Sequence, residues 1–222
     1  MFFSKRLNKL VDLVKYDRVC DVACDHGFVS ILACENKNAK KVIACDINKE
    51  PLSKCMENIK IYEIDDKVEC RLGDGLKCIE ENEVDTAIIG GIGGLLMIKI
   101  LEDSHAIVST LNQLILQPQS DIPAFKKYLE NLNIEVTEHY IEDNGKYYII
   151  FDCLKSMVKP KYTDIEILIG KNPLKDDEYY KYIKRQIDNN NRVIEKINKG
   201  NSKIDTLLKE NEIYKGVLHD YT

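Results

Sequence analysis

Short apolar segments alternate with amphipathic segments along the first half of the chain. In the first amphipathic segment Ser4 is a candidate N-cap, and Leu7 and Val11 share one face. The pattern predicts four further helices: one at 27–37, one that starts at Asn48, one that follows the glycines at 90–94 and ends at Leu101, and one at 121–132. It predicts strands at 18–23, 41–46, 68–72, 85–89 and 113–117. Such alternation is typical of a mainly parallel sheet covered by helices on both faces.

The pattern changes after residue 133. Apolar strands at 134–141 and 146–154 flank Asp143-Asn144-Gly145, and Asn-Gly between two strands favours a hairpin because both residues tolerate positive φ. Five strand–helix units followed by an antiparallel hairpin are typical of a class I methyltransferase sheet, whereas a plain dinucleotide-binding domain usually continues with parallel strands. The predicted fold class is therefore α/β, with a Rossmann-like sheet that ends in an antiparallel hairpin.

The C-terminal segment has a helical pattern only. Helices are predicted at 176–199 and 202–219 around Gly200-Asn201, and their apolar positions recur every three to four residues, which favours a short antiparallel coiled-coil hairpin. Asn190 and Asn211 each fill one gap in these apolar series at about the same distance from the turn. We predict that the two side chains pair across the seam and fix its register; the alternative is that one or both face water.

The breaks in the chain suggest two units. Pro160 and residues 170–173 interrupt the pattern before the helical hairpin. We therefore expect a cofactor-binding catalytic domain at 1–158 and a linker with the helical hairpin at 159–222.

Three of the predicted strands are followed by an acidic residue. Asp21 ends the first strand, Asp46 ends the second, and Asp74 lies between two glycines after the third. The carboxyl ends of parallel strands line one crevice, where an open α/β sheet binds its ligand. The first turn has one glycine where a dinucleotide fingerprint has three, which favours S-adenosylmethionine over a pyrophosphate cofactor. Separately, each position also suits a structural role, a helix cap for Asp21 and ordinary turns for the others.

Residues 90–94 after the fourth strand read Gly-Gly-Ile-Gly-Gly. The Asn/Asp-Pro-Pro-aromatic sequence that grips an exocyclic amine is absent here. The glycines leave room for a base to approach a methyl donor, so the segment favours a nucleophile that needs little activation, such as a ring nitrogen. Alternatively, they form a flexible loop or allow close packing of a helix on a strand.

Two further groups border the expected crevice. Asp25 and His26 lie in the first turn, where either side chain suits proton transfer or orientation of a base. Gln117 and Gln119 flank Pro118 at the end of the fifth strand, and their amides suit a base edge or an ordinary polar loop.

Composition narrows the class of protein. The net charge of −5 does not indicate a general nucleic-acid binder. None of the eight cysteines forms Cys-x-x-Cys, so we expect no metal. Cys20, Cys45 and Cys153 lie in apolar strand patterns, and we expect them to be buried reduced thiols. No apolar run has the length of a membrane span or signal peptide, and we expect a cytoplasmic protein.

Six segments resemble, in order, those of the TrmK family of bacterial tRNA adenine-N1 methyltransferases, which act on adenosine 22 of tRNA. The helical hairpin also matches, so the resemblance covers nearly the whole chain. The sequence departs from the family at Ala23, where a glycine is usual, and at Ile92, where a methionine is usual. The matching segments are Ser4–Leu7, Asp21–Gly27, Gly73–Gly75, Gly91–Gly94, Ile115–Pro118 and Glu142–Tyr148.

The resemblance implies S-adenosyl-L-methionine as cofactor, S-adenosyl-L-homocysteine as product and tRNA as partner, with the coiled coil helping to hold the tRNA. It leaves the oligomeric state open, and a monomer is compatible with it. The expected site consists of Asp25 and His26 as catalytic residues, of Asp21, Ala23, Gly27, Asp46, Ile47, Gly73, Asp74, Gly75, Gly90 and Gly91 around the cofactor, and of Lys5, Arg6, Gln117, Lys184 and Arg185 toward tRNA.

Besides an NAD-type oxidoreductase, against which the single glycine of the first turn counts, two alternatives remain at this point. A methyltransferase for another RNA, a small molecule or a protein is one of them, and a small substrate requires a closed apolar pocket. A non-catalytic tRNA- or protein-binding module on a methyltransferase core is the other, and such a core is not expected to bind the cofactor.

Overall fold

The computed structural model describes residues 3–37, 39–198 and 201–221. Its strands are β1 (Arg18–Val22), β2 (Lys41–Asp46), β3 (Val68–Leu72), β4 (Thr86–Ile92), β5 (Gln113–Pro118), β6 (Ile134–Asp143) and β7 (Lys146–Lys155). Its helices are α1 (Lys5–Asp12), α2 (Phe28–Lys37), α3 (Lys49–Ile61), α4 (Gly94–Asp103), α5 (His105–Thr110), α6 (Ile122–Leu129), α7 (Asp164–Ile169), α8 (Asp177–Lys196) and α9 (Lys203–His219).

The strands form one seven-stranded sheet in the order β3-β2-β1-β4-β5-β7-β6. The pairs from β3 to β5 are parallel, and β7 is antiparallel to both β5 and β6. Each face carries its own apolar core, with Ile31 and Cys55 buried on the side of α2 and α3, and Phe125 and Tyr179 buried on the side of α6 and α8. The predicted Rossmann-like sheet with a terminal antiparallel hairpin is confirmed.

The β6–β7 hairpin turns at Asn144 and Gly145, as predicted. Their φ angles are +53° and +79°, the left-handed region that a two-residue turn of this kind requires at both positions. The Leu116–Phe151 pair is the last in the register between β5 and β7. Residues 146–149 therefore continue past the paired part of β5 and form a wall beside the carboxyl edge of the sheet.

The structure departs from the predicted elements in the bounds of one strand and one helix, and in two short helices that were not predicted. The fourth strand continues through the glycines to Ile92 instead of ending at residue 89, and the sixth helix ends at Leu129 rather than at residue 132. The short helices α5 and α7 were not predicted. Six residues contain too few turns for a clear apolar period, although the capping box of Thr163 and Glu166 is a local signal for α7.

Helices α8 and α9 pack against each other in antiparallel orientation. Asn190 donates to the Asn211 side chain at 3.1 Å, and the rings of Tyr180 and Tyr221 stack at 3.7 Å. The predicted asparagine pair is thus confirmed, and Asn211 is buried. The predicted helix end at Lys199 and turn at Gly200 lie outside the described residues.

Replacing both Asn190 and Asn211 with leucine is expected to raise the free energy of unfolding by about 1 kcal/mol, because a buried amide pair is less stabilising than apolar packing. The helices should also lose their unique register. Urea unfolding measures the first effect, and cross-linking of cysteines placed on facing helix positions measures the second. A double variant that is no more stable than the parent contradicts this account of the pair.

Candidate functional site

Two cavities meet at the carboxyl edge of the parallel strands. The first, called here the β2 lobe, has a volume of about 250 Å³ and is lined by Asp46, Gly73–Gly75 and Leu96. The second, the β1 lobe, has a volume of about 350 Å³ and is lined by residues of α1, of the turn after β1 and of the end of β4. Ala23 and Ile92 line both lobes. The two lobes therefore form one crevice that is narrowed in the middle.

The turn after β1 has an unusual backbone. Ala23, Asp25 and Gly27 have φ angles of +58°, +47° and +73°, a region that costs energy for residues with a Cβ atom. Gly27 does not line either lobe, and a Cβ atom there would lie 2.5 Å from the Cys55 sulfur. Gly27 therefore acts by closing the turn against α3, and Ala23 occupies a position where glycine is less strained.

Asp21 lies beneath this turn and lines the β1 lobe. Its carboxylate accepts hydrogen bonds from the Ser30 backbone N–H at 3.1 Å and the Ser30 hydroxyl at 2.7 Å. It thus anchors the first turn of α2, which is the capping role that the sequence left open. Burial raises the pKa of Asp21 to about 7, the Asp46 carboxylate adds to the rise, and the bonds from Ser30 oppose it.

The ionised form of Asp21 is expected to destabilise the ligand-free protein. Because the pKa in the folded state lies above the ordinary value of 3.8, Asp21 stabilises the protein at low pH, and that stabilisation is lost as the pH rises toward about 7. The Asp21→Asn variant lacks this titration. Its stability relative to the parent should therefore rise by about 1 kcal/mol for each pH unit between about 5 and 7.

Urea unfolding of both proteins at a series of pH values measures this difference. Subtraction removes the contributions of all other titrating groups, since the two proteins share them. A difference that does not change with pH would show that Asp21 is not destabilised in its ionised form.

The β2 lobe is arranged around Asp46 at the end of β2. The Asp46 carboxylate accepts a hydrogen bond from the Asn48 backbone N–H at 2.8 Å, and the side chain is buried. Asp74, by contrast, is exposed and accepts a hydrogen bond from Lys77 at 2.6 Å, which lowers its pKa. Gly75 has a φ of +62°, so a side chain there is disfavoured.

Apolar side chains form the rest of the β2 lobe. Ile47 is 61% exposed and Leu96 is 52% exposed, and both border the lobe together with Ile92 and Ile100. Of these four, the sequence predicted Ile47 as a site residue. Leu96 and Ile100 were missed because their helical spacing is that of any core-facing helix, and they reach the lobe only because α4 packs across the end of β4.

The glycines after Ile89 form a β-bulge rather than a loop. Gly90 pairs with Gln117 and Ile92 pairs with Pro118, so Gly91 is the extra residue, and its φ is +85°. Gly94 begins α4, and a Cβ atom there would collide with the Ser120 backbone oxygen. Gly94 thus allows the close packing that was one interpretation of this segment, whereas Gly90 and Gly91 line the β1 lobe.

In the structure Gln117 has protein partners and does not reach the mouth of the crevice, where a base contact was predicted. Gln117 is fully buried, and its amide oxygen accepts hydrogen bonds from Arg6 at 2.8 Å and from the Gly91 N–H at 3.2 Å. Its amide nitrogen donates to the Pro118 carbonyl. Gln117 therefore holds the bulge and Arg6 in place, and Gln119 is the exposed amide at the mouth of the crevice.

The candidate tRNA contacts lie in different places. Arg6 lines the β1 lobe, with its guanidinium 5.5 Å from the centre of the Tyr148 ring. Lys5 is exposed and faces Glu142 at 3.9 Å. Lys184 and Arg185 are both exposed on α8. Arg185 lines a further cavity beside the crevice, whereas Lys184 lines neither that cavity nor the two lobes.

Asp25 and His26 border the β1 lobe, as predicted from the sequence. The His26 Nε2 atom lies 3.8 Å from the Asp25 carboxylate; the His26 side chain is partly exposed, and the Asp25 side chain is exposed. The His26 ring stacks on Phe28 with a centroid separation of 5.4 Å. This contact fixes the imidazole at the rim, where both polar side chains can reach a ligand in the lobe.

The described residues contain no candidate metal site, membrane-spanning helix or disulfide. Among residues 3–37, 39–198 and 201–221, no group of three His, Cys, Asp or Glu side chains is arranged to hold a metal ion. None of the described helices has the length and apolar content that a membrane span needs. All eight cysteines are free thiols, and Cys20, Cys45 and Cys153 are buried as predicted.

The sheet order and the two-lobed crevice define a class I methyltransferase. The chain also matches a family model described as a methyltransferase domain over residues 3–151. It is 27% identical over 169 residues to the tRNA (adenine(22)-N(1))-methyltransferase of Bacillus subtilis, an alignment that covers 75% of this chain and 71% of that protein. The chain therefore belongs to the methyltransferase domain family, and its similarity to the Bacillus subtilis enzyme agrees with the TrmK resemblance of its motifs.

Two solved structures share the fold over nearly their whole length. One is a putative tRNA (m1A22) methyltransferase of Streptococcus pneumoniae in complex with S-adenosyl-L-methionine, with a TM-score of 0.84, 23% identity and coverage of 98% of this chain and 100% of that one. The other is TrmK of M. capricolum in complex with S-adenosyl-homocysteine, with a TM-score of 0.81, 22% identity and coverage of 99% of both chains. At this identity they establish the shared fold.

Proposed function

We propose that this protein transfers a methyl group from S-adenosyl-L-methionine to N1 of an adenosine in tRNA, at the position that corresponds to adenosine 22. The observation that carries the proposal is the crevice, whose two lobes meet at Ala23 and Ile92 and open at Gln119. The name of the Bacillus subtilis relative supplies the substrate and the position. The open mouth, with cations at its side, suits RNA better than a small apolar substrate.

The residues in the crevice fit this cofactor. The β2 lobe offers the buried Asp46 carboxylate for ribose hydroxyls, Asp74 for an adenine amine, and apolar side chains for the ring faces. The β1 lobe offers Asp21, whose raised pKa falls when an ammonium group lies beside it. These carboxylates are partners for hydroxyl, amine and ammonium groups and not for a pyrophosphate. This agrees with a first turn that has one glycine where a dinucleotide fingerprint has three.

When bound, the cofactor would supply an electrophilic methyl group, which the adenine N1 lone pair would take up in line as the methyl–sulfur bond breaks, so that a cationic base and S-adenosyl-homocysteine result. The protein contributes position and charge. The Gly90–Gly91 bulge keeps side chains away from the approaching ring, and Gln117 holds that bulge. Asp25 and His26 lie at the rim, where a carboxylate stabilises the cationic product and the imidazole orients the base or accepts its proton.

The two parts of the chain have separate roles in this proposal. Residues 1–158 bind the cofactor and perform the transfer, and residues 159–222 position the tRNA. The helical hairpin remains attached to the catalytic part, because Tyr179, Ile183 and Tyr214 are buried in the core of the sheet. Lys5, Arg6, Lys184 and Arg185 contact phosphates in this proposal, and the tRNA substrate implies a reaction in the cytoplasm.

The test is methylation of an unmodified tRNA transcript with labelled S-adenosyl-L-methionine, followed by mapping of reverse-transcription stops, since a methyl group on N1 blocks base pairing. We expect a stop at adenosine 22 that disappears when this base is changed to guanosine. We also expect tRNA affinity to fall steeply with salt. Label at another position, or in a small molecule or protein from an extract, contradicts the proposed substrate.

A further inference from the structure

A third cavity lies beside the β1 lobe, on the other side of Gln119. Its volume is about 440 Å³, against about 350 Å³ for the β1 lobe, and Gln119 lines both. Its walls come from the start of β7, from residues 118–122 and from α8. We call it the α8 groove. The proposed transfer of a methyl group to a single base within the crevice leaves this space without a role.

The lining of the α8 groove differs in charge from the rest of the protein. The chain has a net charge of −5, yet the groove is lined by the cations Lys146 and Arg185, three tyrosines, three side-chain amides and no carboxylate. In the described part of the chain, neither cation forms an ion pair. Unpaired cations beside aromatic rings and amides are the chemistry that binds single-stranded nucleic acid, because phosphates pair with the cations and bases stack on the rings.

Tyr147 is held in position at the wall of the groove. Its ring packs edge-on against Tyr182 with a centroid separation of 5.8 Å, and Tyr182 packs on Tyr140 at 4.6 Å. Tyr140 is buried, whereas Tyr147 is partly exposed. A partly exposed ring that is fixed by buried neighbours loses little conformational freedom on binding.

Two carboxylates act electrostatically on Tyr147, those of Glu178 and Glu142. Both are engaged elsewhere. Glu178 accepts hydrogen bonds from the Glu142 backbone N–H and from Lys181, and Glu142 accepts one from the Gly145 backbone N–H. Each of the two carboxylates also faces a lysine, Lys181 for Glu178 and Lys5 for Glu142, and neither carboxylate forms an ion pair with Arg185.

We propose that the α8 groove binds the nucleotide next to the target adenosine, with its base against Tyr147 and its phosphate near Arg185 and Lys146. This inference rests on the proposed function, since it assigns a second subsite for the same RNA. A single side chain, that of Gln119, separates the two cavities. This arrangement suits an RNA whose target base enters the β1 lobe while the adjacent nucleotide stays outside that lobe. The groove thus selects for an unpaired neighbour and helps to hold the target base out of its stack.

The test is a cycle that combines a change in the protein with a change in the RNA. KM and kcat are measured at saturating S-adenosyl-L-methionine for Tyr147→Ala and Arg185→Ala, with the intact tRNA and with tRNAs that carry an abasic site on the 5′ or the 3′ side of the target. We expect each variant to raise KM for intact tRNA about tenfold with a smaller change in kcat. One of the two abasic tRNAs should show a similar loss with the parent protein and no further loss with Tyr147→Ala.

Lys209→Ala is the matched control, because Lys209 is an exposed cation of α9 that does not line the groove. Titration with S-adenosyl-homocysteine should give the parent affinity for all variants. Tyr147→Leu keeps apolar packing but has no ring face, and it replaces Tyr147→Ala if that variant does not fold.

The outcomes separate this inference from the proposed function. If the parent methylates adenosine 22 but the losses from Tyr147→Ala and both abasic sites are additive, the groove does not bind the neighbouring nucleotide. An equal rise in KM for Lys209→Ala also overturns the inference, since it would show a general charge effect. If the parent protein methylates no tRNA, the proposed function fails and the subsite fails with it.

Discussion

Asp46→Ala is expected to weaken binding of S-adenosyl-L-methionine at least a hundredfold. The buried carboxylate at the end of β2 lines the β2 lobe, and in the proposed function it accepts two hydrogen bonds from ribose hydroxyls. A hydrogen bond to a charged group contributes about 1.5–3 kcal/mol, so the loss of two such bonds lowers affinity by at least two orders of magnitude. Calorimetric titration with the cofactor and with S-adenosyl-homocysteine measures the effect.

Two further variants serve as controls for Asp46→Ala. Asp46→Asn keeps an oxygen that can accept the Asn48 backbone bond but removes the charge, and we expect an intermediate loss. Asp66→Ala removes an exposed acid in the loop before β3 and should bind like the parent. If Asp46→Ala binds within about threefold of the parent, Asp46 does not hold the ribose and the assignment of the β2 lobe is wrong.

Lys126→Met is expected to lower the free energy of unfolding by about 3–5 kcal/mol, a large share of the stability of an ordinary domain. The Lys126 ammonium and the Glu138 carboxylate are both buried and lie 2.9 Å apart. Burial lowers the pKa of Lys126, and Glu138 opposes that shift. Removal of the lysine leaves an uncompensated carboxylate in the core.

The double variant Lys126→Met, Glu138→Gln removes both charges and should recover part of the loss, because the glutamine amide oxygen can accept from the Lys171 backbone N–H while its NH2 group donates to the Tyr140 hydroxyl oxygen. Lys54→Met breaks an exposed pair with Glu50 and should change stability by less than about 0.5 kcal/mol. Urea unfolding compares the variants. A loss below about 1 kcal/mol for Lys126→Met contradicts this account of the pair.

The sequence predicts much of the crevice because its main features follow from local patterns. Asp21, Asp46 and Asp74 each follow an apolar strand, and parallel strands must bring their carboxyl ends to one edge. The hairpin turn at Asn144 and Gly145 is likewise local, since the backbone preferences of these two residues determine it. Family resemblance then adds the substrate, which no spacing of residues reveals.

The side-chain partners in the site are less predictable. Gln117 follows an apolar strand just as a base-reading amide does, and its burial depends on α1, which brings Arg6 against it. Gly91 differs from its neighbouring glycines only because β4 and β5 pair with one residue out of register. Lys126 sits in an amphipathic segment where lysine normally faces water, and its burial depends on β6 and on α7.

By itself, the sequence determined the strand order typical of the class, the acidic strand ends and the pairing of Asn190 with Asn211, because these depend on the period of apolar residues and on short-range turn chemistry. Only the tertiary structure decided which polar groups are buried, that the fourth strand bulges at Gly91, and that Arg185 and Tyr147 line one cavity beside the crevice. The physical reason is that solvation and partner choice depend on elements far apart in the chain, whose approach no local pattern records.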